Sequence, residues 1–346
     1  MSNTKHIAAA DLRQRLKSTL SDQQIRKTSK MAELNSKFVP FDRDDLLRAA
    51  IETLFENALE EPKEEFQEGL LLLVTGASGA GKSRSIGQAL KRKQRMLGEG
   101  ADDLFVEVSA PSPCTSKQLA ICLLHGMGYP IQRDLQENVA WQRVRELLVA
   151  RKPLMLWIDE MQHVVDGLQS IDEVKKMHNT IKSIVQLKVW PPVSIVMSGL
   201  PMLVDFAKMD AQIQRRTHEV VFDAIRFPED VADVRRVVGG IIGHDVGLQI
   251  AQELTTDEFL ARLCHCVSGA FGLAIKLTRA AAVEAFGWER NVACIDDFAM
   301  AYRMATGRSD AENPFLVDNW HKIRPWYADS EAKASAGSAK RKRKVA

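Results

Sequence analysis

Four short apolar runs recur along the first part of the chain, and a stretch long enough for a helix separates each from the next. This arrangement is typical of strands that are buried on both faces of a parallel sheet with crossover helices. The runs cover residues 70–74, 104–108, 154–158 and 193–197. The pattern therefore predicts an α/β fold, with a parallel sheet and flanking helices.

Helical periodicity flanks this region on both sides. Apolar residues recur at helical spacing between Arg43 and Glu60, and from about residue 230 the spacing is helical throughout, with no strand-like run. The sequence therefore predicts an α/β core over residues 41–229 and a smaller α-helical domain over residues 230–308.

The two ends of the chain differ from these domains. Residues 1–40 are polar and basic without a strong apolar stripe, which predicts an extension that could become ordered on a partner. Residues 309–346 form a tail. Its aromatic part, residues 320–327, either packs on its own domain or docks on a partner, and the small, basic residues from 330 onward are typical of disorder.

Composition and charge exclude several classes of protein. No apolar run is long enough to cross a bilayer, and the N-terminus lacks the apolar block of a secretory signal, so we expect a cytoplasmic protein. An odd number of cysteines, five, argues against a disulfide framework. Without the five charges of residues 340–344, the net charge falls from +2 to −3, so any contact with nucleic acid would need a local basic patch.

A glycine-rich motif follows the first apolar run. The pattern G-x-x-x-x-G-K-[ST] is matched by Gly76, Ala77, Ser78, Gly79, Ala80, Gly81, Lys82 and Ser83. It lies where a P-loop belongs, between a predicted strand and a helix predicted over residues 82–93. Its backbone amides would face phosphate oxygens, Lys82 would reach the β- and γ-phosphates, and Ser83 would ligate Mg²⁺. We therefore predict a site for ATP with Mg²⁺.

Two acidic residues follow the third apolar run. Asp159 occupies the position of a Walker-B aspartate, where it would hold Mg²⁺. Glu160 follows it and would polarise the attacking water as general base. Capping of a following helix by Asp159 is compatible with the metal role. The pair predicts hydrolysis of ATP.

Further catalytic candidates lie beyond the fourth run. Ser198, at the end of that run, would orient the water or touch the γ-phosphate, unless it is a simple turn residue. Arg215 and Arg216 lie in a polar segment after a helix predicted over residues 201–209. Either arginine could reach a neighbouring subunit and neutralise charge in the transition state, and a solvated surface pair is the alternative.

The order of these elements resembles an AAA+ ATPase, and several stretches are similar to the TniB/TnsC family of transposon ATPases, which is related to MuB. The similar stretches are residues 72–83, 108–115, 126–130, 157–163, 198–216, 268–272 and 313–315. The resemblance spans about residues 40–325 and implies an AAA+ sheet followed by a helical lid. Gly272 stands where many AAA+ lids carry a sensor-2 arginine; Lys276 and Arg279 could substitute, although we expect both at the surface.

The resemblance also implies a function. Members of the family hydrolyse ATP, assemble as rings or helical filaments on double-stranded DNA, are recruited by a target-selector protein of TniQ type and mark the target for a DDE transposase. Two alternatives stay open: another DNA-associated AAA+ ATPase of initiator or loader type, and an ATP-binding switch without significant hydrolysis.

Candidate DNA contacts are less well marked in the sequence. The loop of residues 109–117 offers hydroxyls, amides and one lysine, which suit contacts to the DNA backbone. The basic residues 91–95 are better interpreted as a solvated helix face. The run of residues 340–344 could bind DNA phosphates, dock an acidic partner or act as a targeting signal.

Overall fold

The computed structural model describes residues 12, 14–61 and 67–326. The chain divides into two compact units. An α/β unit lies within Pro40–Ala224, and a helical unit combines the described residues before Pro40 with the described residues from Ile225 onward. The predicted disordered end, including the basic run 340–344, lies outside the described residues, as do Tyr327 and the start of the N-terminal extension.

The elements are numbered in chain order. They are α1 (Asp22–Ser36), α2 (Asp42–Leu59), β1 (Leu71–Gly76), α3 (Lys82–Leu97), β2 (Phe105–Ser109), α4 (Ser116–Gly126), α5 (Glu137–Arg151), β3 (Met155–Asp159), α6 (Gln162–Gly167), α7 (Ile171–Val185), β4 (Ser194–Gly199), α8 (Met202–Lys208), α9 (Ala211–Gln214), β5 (Thr217–Phe222), α10 (Val231–Gly239), β6 (Gln249–Ile250), α11 (Asp257–Cys266), α12 (Phe271–Gly287), β7 (Val292–Ala293) and α13 (Ile295–Thr306).

Strands β1 to β5 form one parallel sheet in the order β2-β3-β4-β1-β5. β1 is an inner strand, with Leu72 opposite Val196 of β4 and His218 of β5. Because the strands are parallel, the loops after β1, β3 and β4 leave the same edge of the sheet. The predicted parallel sheet with flanking helices is confirmed.

The side chains of β1 alternate between two apolar layers. Leu71 and Leu73 pack into one layer with residues of α4, α5 and α7. Leu72 and Val74 pack into the other with residues of α2 and α3. Every residue of β1 is buried, because helices cover both faces of the sheet. This double burial explains why the strand is an unbroken apolar run in the sequence.

The edge strand β5 was not predicted. His218 and Glu219 are exposed near its start, and Val220 and Phe222 are buried near its end. An edge strand has fewer neighbours than an inner strand, so part of its surface stays polar. Since the apolar run is interrupted, the segment has the composition of a loop.

The N-terminal extension is partly ordered on its own chain. Helix α1 begins with a capping box formed by Ser21 and Gln24 and packs against α12, where Lys27 forms an ion pair with Glu284. Leu34 is fully buried. The expectation that this region awaits a partner is therefore corrected for α1. Apolar contacts and ion pairs hold this helix although it lacks a strong apolar stripe.

The two substitutes proposed for the sensor-2 arginine differ in burial. Lys276 is exposed, as expected, and its ammonium lies over the ring of Trp326, 5.8 Å from the centroid. Arg279 is buried, against the prediction that it lies at the surface. Its Nη2 donates to the carbonyl of Lys37 at 2.9 Å, at the C-terminal end of α1. Arg279 therefore ties α1 to α12.

The aromatic tail packs within the helical unit as far as the described chain extends. His265 of α11 lies edge-on to Trp320, with ring centroids 5.3 Å apart, and its Nε2 lies 2.7 Å from the carbonyl oxygen of Ile323. The backbone N–H of Trp326 donates to Cys266 at 2.9 Å. Of the two interpretations of this segment, packing on its own domain is the one that the structure supports.

The helical unit also contains two short strands. The strands β6 and β7 form a short parallel pair, which corrects the expectation of a region without strands; each is two residues long, too short to give a periodic signal. No single helix in the described part of the chain is long and apolar enough to span a bilayer.

Candidate nucleotide site

The glycine-rich motif forms the turn between β1 and α3, as predicted. Gly79 and Gly81 have φ values of 74° and 104°, in a region that residues with a Cβ rarely adopt. Gly81 is the N-cap of α3 and Lys82 its first residue. The first backbone amides of α3 therefore lie at this turn. The N-terminus of a helix favours an anion such as phosphate.

Lys82 is held inside the turn. Its Nζ donates to the carbonyls of Gly76 at 2.8 Å and Ala77 at 2.9 Å, and the residue is only 8% exposed. Burial lowers the pKa of Lys82, while the nearby carboxylates of Glu160 and Asp159 act in the opposite direction. The lysine and both acidic residues thus lie close together at one edge of the sheet.

Asp159 is fixed by the strand next to it. Ser198 of β4 donates from Oγ to Oδ1 of Asp159 at 2.6 Å, and the backbone N–H of Glu160 donates to the same oxygen at 3.0 Å. Trp157 in turn donates from Nε1 to Oγ of Ser198 at 2.8 Å. Ser198 has no exposed surface. Its hydroxyl is therefore used to position Asp159, which differs from the predicted contact with water or the γ-phosphate.

The donor set at this edge suits Mg²⁺. Oδ2 of Asp159 accepts no hydrogen bond from the described residues, since both of the bonds above end on Oδ1. Ser83 lies in the first turn of α3 and is partly exposed. Carboxylate and hydroxyl oxygens are the ligands that this hard cation prefers. Ser83 and Asp159 are therefore the residues that could hold the metal.

Glu160 leaves β3 in an unusual backbone conformation. Its φ is 55°, in the left-handed region that non-glycine residues seldom occupy. Its carboxylate Oε2 accepts a hydrogen bond from Nε2 of Gln162. Residues in sparsely populated backbone regions cluster at active sites. Glu160 lies close enough to Lys82 for its negative charge to oppose the effect of burial on the pKa of that lysine.

A buried arginine at this site was not predicted. Arg43, in the first turn of α2, donates from Nη2 to the P-loop carbonyl of Ala80 at 2.6 Å and from Nη1 to the carbonyl of Asp223 at 3.1 Å. Its guanidinium lies over the ring of Phe222, 4.6 Å from the centroid. Arg43 braces the P-loop against the end of β5. No motif marks it, because its partners are distant in the sequence.

The predicted arginine pair lies at the other edge of the sheet. The backbone N–H of Leu71, the first residue of β1, donates to the carbonyl of Arg216 at 3.0 Å, whereas the P-loop follows the last residue of β1. Arg216 forms an ion pair with Glu68. Arg215 is exposed. Neither arginine therefore belongs to the P-loop site of its own chain, and the two side chains have different surroundings.

Most polar side chains in the candidate DNA loop, residues 109–117, have partners within the protein. Thr115 caps the N-terminus of α4, Oγ of Ser116 accepts from the indole of Trp141 at 3.0 Å, and Lys117 pairs with Asp134 at 2.7 Å. These contacts stabilise the loop and leave fewer groups for DNA than its sequence suggests.

The fold is similar to that of several solved structures. Cdc6p from Pyrobaculum aerophilum superposes with a TM-score of 0.55 at 12% identity, over 81% of this chain and 75% of that chain. ORC2 from Aeropyrum pernix, solved as ADPNP–ADP complexes, has a TM-score of 0.51 at 14% identity, over 81% and 75%. ORC1 from the same organism, in complex with DNA, has a TM-score of 0.54 at 16% identity, over 78% and 66%.

At these identities the similarity establishes the fold alone, and the predicted α/β architecture, a parallel sheet with flanking helices, is confirmed. A comparison with curated protein sequences found no significant match. The model of the family described as "Bacterial TniB protein" matches residues 35–226, which is more than half of the chain. The matched region contains the P-loop, the Asp159–Glu160 pair and the two arginines, and the chain therefore belongs to the TniB family.

Proposed function

We propose that this chain is an ATP-hydrolysing AAA+ protein that assembles on double-stranded DNA and selects it as the target of a DDE transposase. The observation that carries the proposal is that Lys82, bound to the P-loop carbonyls after β1, and the Asp159–Glu160 pair after β3 lie at the same edge of the parallel sheet. Membership of the TniB family supports the link to transposition.

The P-loop would bind the triphosphate of ATP through backbone amides at the start of α3. Lys82 would exchange its two carbonyl partners for β- and γ-phosphate oxygens. Mg²⁺, held by Ser83 and Asp159, would neutralise part of the phosphate charge. Glu160 would accept a proton from the attacking water. Because Lys82 is almost fully buried, its charge is poorly screened by solvent and acts strongly on the phosphates.

A second subunit would complete the site. Arg215 is exposed at the sheet edge opposite the P-loop, so it is available to the nucleotide of a neighbour and not to that of its own chain. Such an arginine would stabilise charge in the transition state. If ATP bridges neighbouring subunits, nucleotide binding favours assembly into a ring or helical filament, and hydrolysis weakens it.

Membership of the TniB family supports a proposal for the DNA and protein partners. We propose double-stranded DNA contacted through its backbone, recruitment by a target-selector protein of TniQ type, and hydrolysis triggered by the transposase. The solved ORC1 with a similar fold is in complex with DNA, which is compatible with this proposal.

Calorimetry with ATP and Mg²⁺ tests the nucleotide site. Lys82→Ala should abolish ATP binding, because the ammonium is the one positive side chain of the P-loop motif. Lys91→Ala, on the same helix but exposed, is the matched control and should bind ATP as the wild type does. Equal affinity in the two variants would contradict the site.

Electron microscopy with duplex DNA tests the assembly. We expect rings or filaments with a non-hydrolysable ATP analogue and none without nucleotide. Glu160→Gln should retain assemblies on DNA with ATP itself, since binding persists while hydrolysis stops. Rapid turnover of ATP by Glu160→Gln would remove this residue as the base.

A further inference from the structure

Gln162 joins two parts of the nucleotide site. Its Nε2 donates to Oε2 of Glu160, and its Oε1 accepts from the backbone N–H of Leu200 at 3.3 Å. The residue is 6% exposed, so water competes little for these bonds. We infer that Gln162 is the positioning residue that sets the orientation of Glu160, an inference that rests on the proposed ATPase function.

Gly199 provides the space that Gln162 requires. A methyl group added at Gly199 would overlap Oε1 of Gln162 and would lie 2.8 Å from Cδ1 of Leu203. The missing side chain thus allows the amide to reach the N–H of Leu200. The turn after β4 and the side chain of Gln162 are therefore complementary in shape as well as in hydrogen bonding.

The backbone leaves Glu160 dependent on this contact. With φ at 55°, Glu160 lies outside the regular geometry of β3. The backbone on either side is anchored: Asp159 ends β3, and the N–H of Met161 donates to the carbonyl of Ser198 at 3.0 Å. The carboxylate itself has the amide of Gln162 as its described hydrogen-bond partner.

This arrangement holds one carboxylate oxygen, Oε2, whereas Oε1 accepts no hydrogen bond from the described residues. A base held in one orientation loses less conformational freedom when it accepts a proton, which raises kcat without changing the affinity for ATP. The Gly199–Leu200 turn also begins the segment that runs through α8 and α9 to Arg215. Gln162 therefore makes the orientation of Glu160 sensitive to the position of that segment.

Gln162→Leu tests the inference, because leucine is similar in size but forms neither hydrogen bond. We expect kcat for ATP to fall about tenfold and the ATP dissociation constant to stay within about twofold. Gln142→Leu is the matched control, since Gln142 also donates to a glutamate, Glu146, at 2.9 Å, but on an exposed face of α5. That variant should keep the wild-type kcat.

A double-mutant cycle separates positioning from a general structural role. Adding Gln162→Leu to Glu160→Gln should lower the residual single-turnover rate less than twofold, because the base that Gln162 orients is already absent. Gly199→Ala approaches the same contact from the other side and should reproduce the loss of kcat, which keeps the test valid if Gln162→Leu folds poorly.

Three outcomes would overturn the inference. The first is a wild-type kcat in Gln162→Leu, and the second is a further tenfold loss when Gln162→Leu is added to Glu160→Gln. The third, absence of ATP turnover in the wild-type protein assembled on DNA, would overturn the proposed function as well. The first two leave the ATPase function intact, so the two failures are distinguishable.

Discussion

Replacing Ser198 by alanine removes the link between Trp157 and Asp159. The indole N–H of Trp157, which is 3% exposed, loses its acceptor at 2.8 Å, and Asp159 loses a donor at 2.6 Å. A buried donor without a partner costs about 1–3 kcal/mol, and a hydrogen bond to a carboxylate contributes about 1 kcal/mol where the carboxylate is half-buried. We expect Ser198→Ala to lower the free energy of unfolding by about 2–4 kcal/mol.

Urea unfolding followed by circular dichroism measures this loss in the absence of nucleotide. Ser194→Ala is the matched control, because Ser194 is equally buried in the same strand and its Oγ accepts from the N–H of Leu70 at 3.1 Å. Both variants should lose stability. Only Ser198→Ala should also raise the Mg²⁺ concentration needed for half-maximal ATP turnover, since only Ser198 touches Asp159.

Trp157→Phe checks the mechanism, because it removes the indole N–H that Ser198→Ala leaves without an acceptor. The double variant should be more stable than the sum of the two single losses predicts, by about 1 kcal/mol. Strict additivity would refute the reasoning. So would a Ser198→Ala variant whose free energy of unfolding is within about 0.5 kcal/mol of the wild type, since the lost bonds predict a loss of about 2–4 kcal/mol.

Arg215→Ala should lower ATP turnover in DNA-bound assemblies by about a hundredfold or more and leave the free energy of unfolding unchanged. Arg216→Ala should instead lower the free energy of unfolding by about 1 kcal/mol, because its partner Glu68 is partly exposed and screened. The reverse result would exchange the roles of the two arginines. Gly76→Ala should lower the free energy of unfolding by about 2 kcal/mol or more, because a Cβ would lie 2.5 Å from the carbonyl oxygen of Phe222. Equal urea midpoints for the variant and the wild type would contradict that contact. Arg279→Met should increase amide hydrogen exchange in α1, whose C-terminal carbonyl it caps, and unchanged protection would show that the cap contributes little.

The sequence alone determined those features of this protein that depend on residues close together in the chain. The P-loop motif is a local backbone conformation that needs glycine at set positions, so its spacing identifies it. The inner strands β1, β3 and β4 are buried on both faces, so each is a continuous apolar run. Because Asp159 and Glu160 follow such a run, their position at the carboxyl edge of the sheet was also predictable.

Only the tertiary structure decided what depends on strand order and packing. Ser198 supports Asp159 because β4 lies beside β3, and Arg43 reaches the P-loop from a helix that precedes the sheet. β5, an edge strand with exposed polar side chains, gave no apolar run, and α1 and Arg279 meet across more than two hundred residues of chain. Local periodicity indicates which side of a helix or strand is buried, but not which distant residue covers that side. The contacts of Ser198, Arg43 and Arg279 are made by residues that come together only when the chain folds.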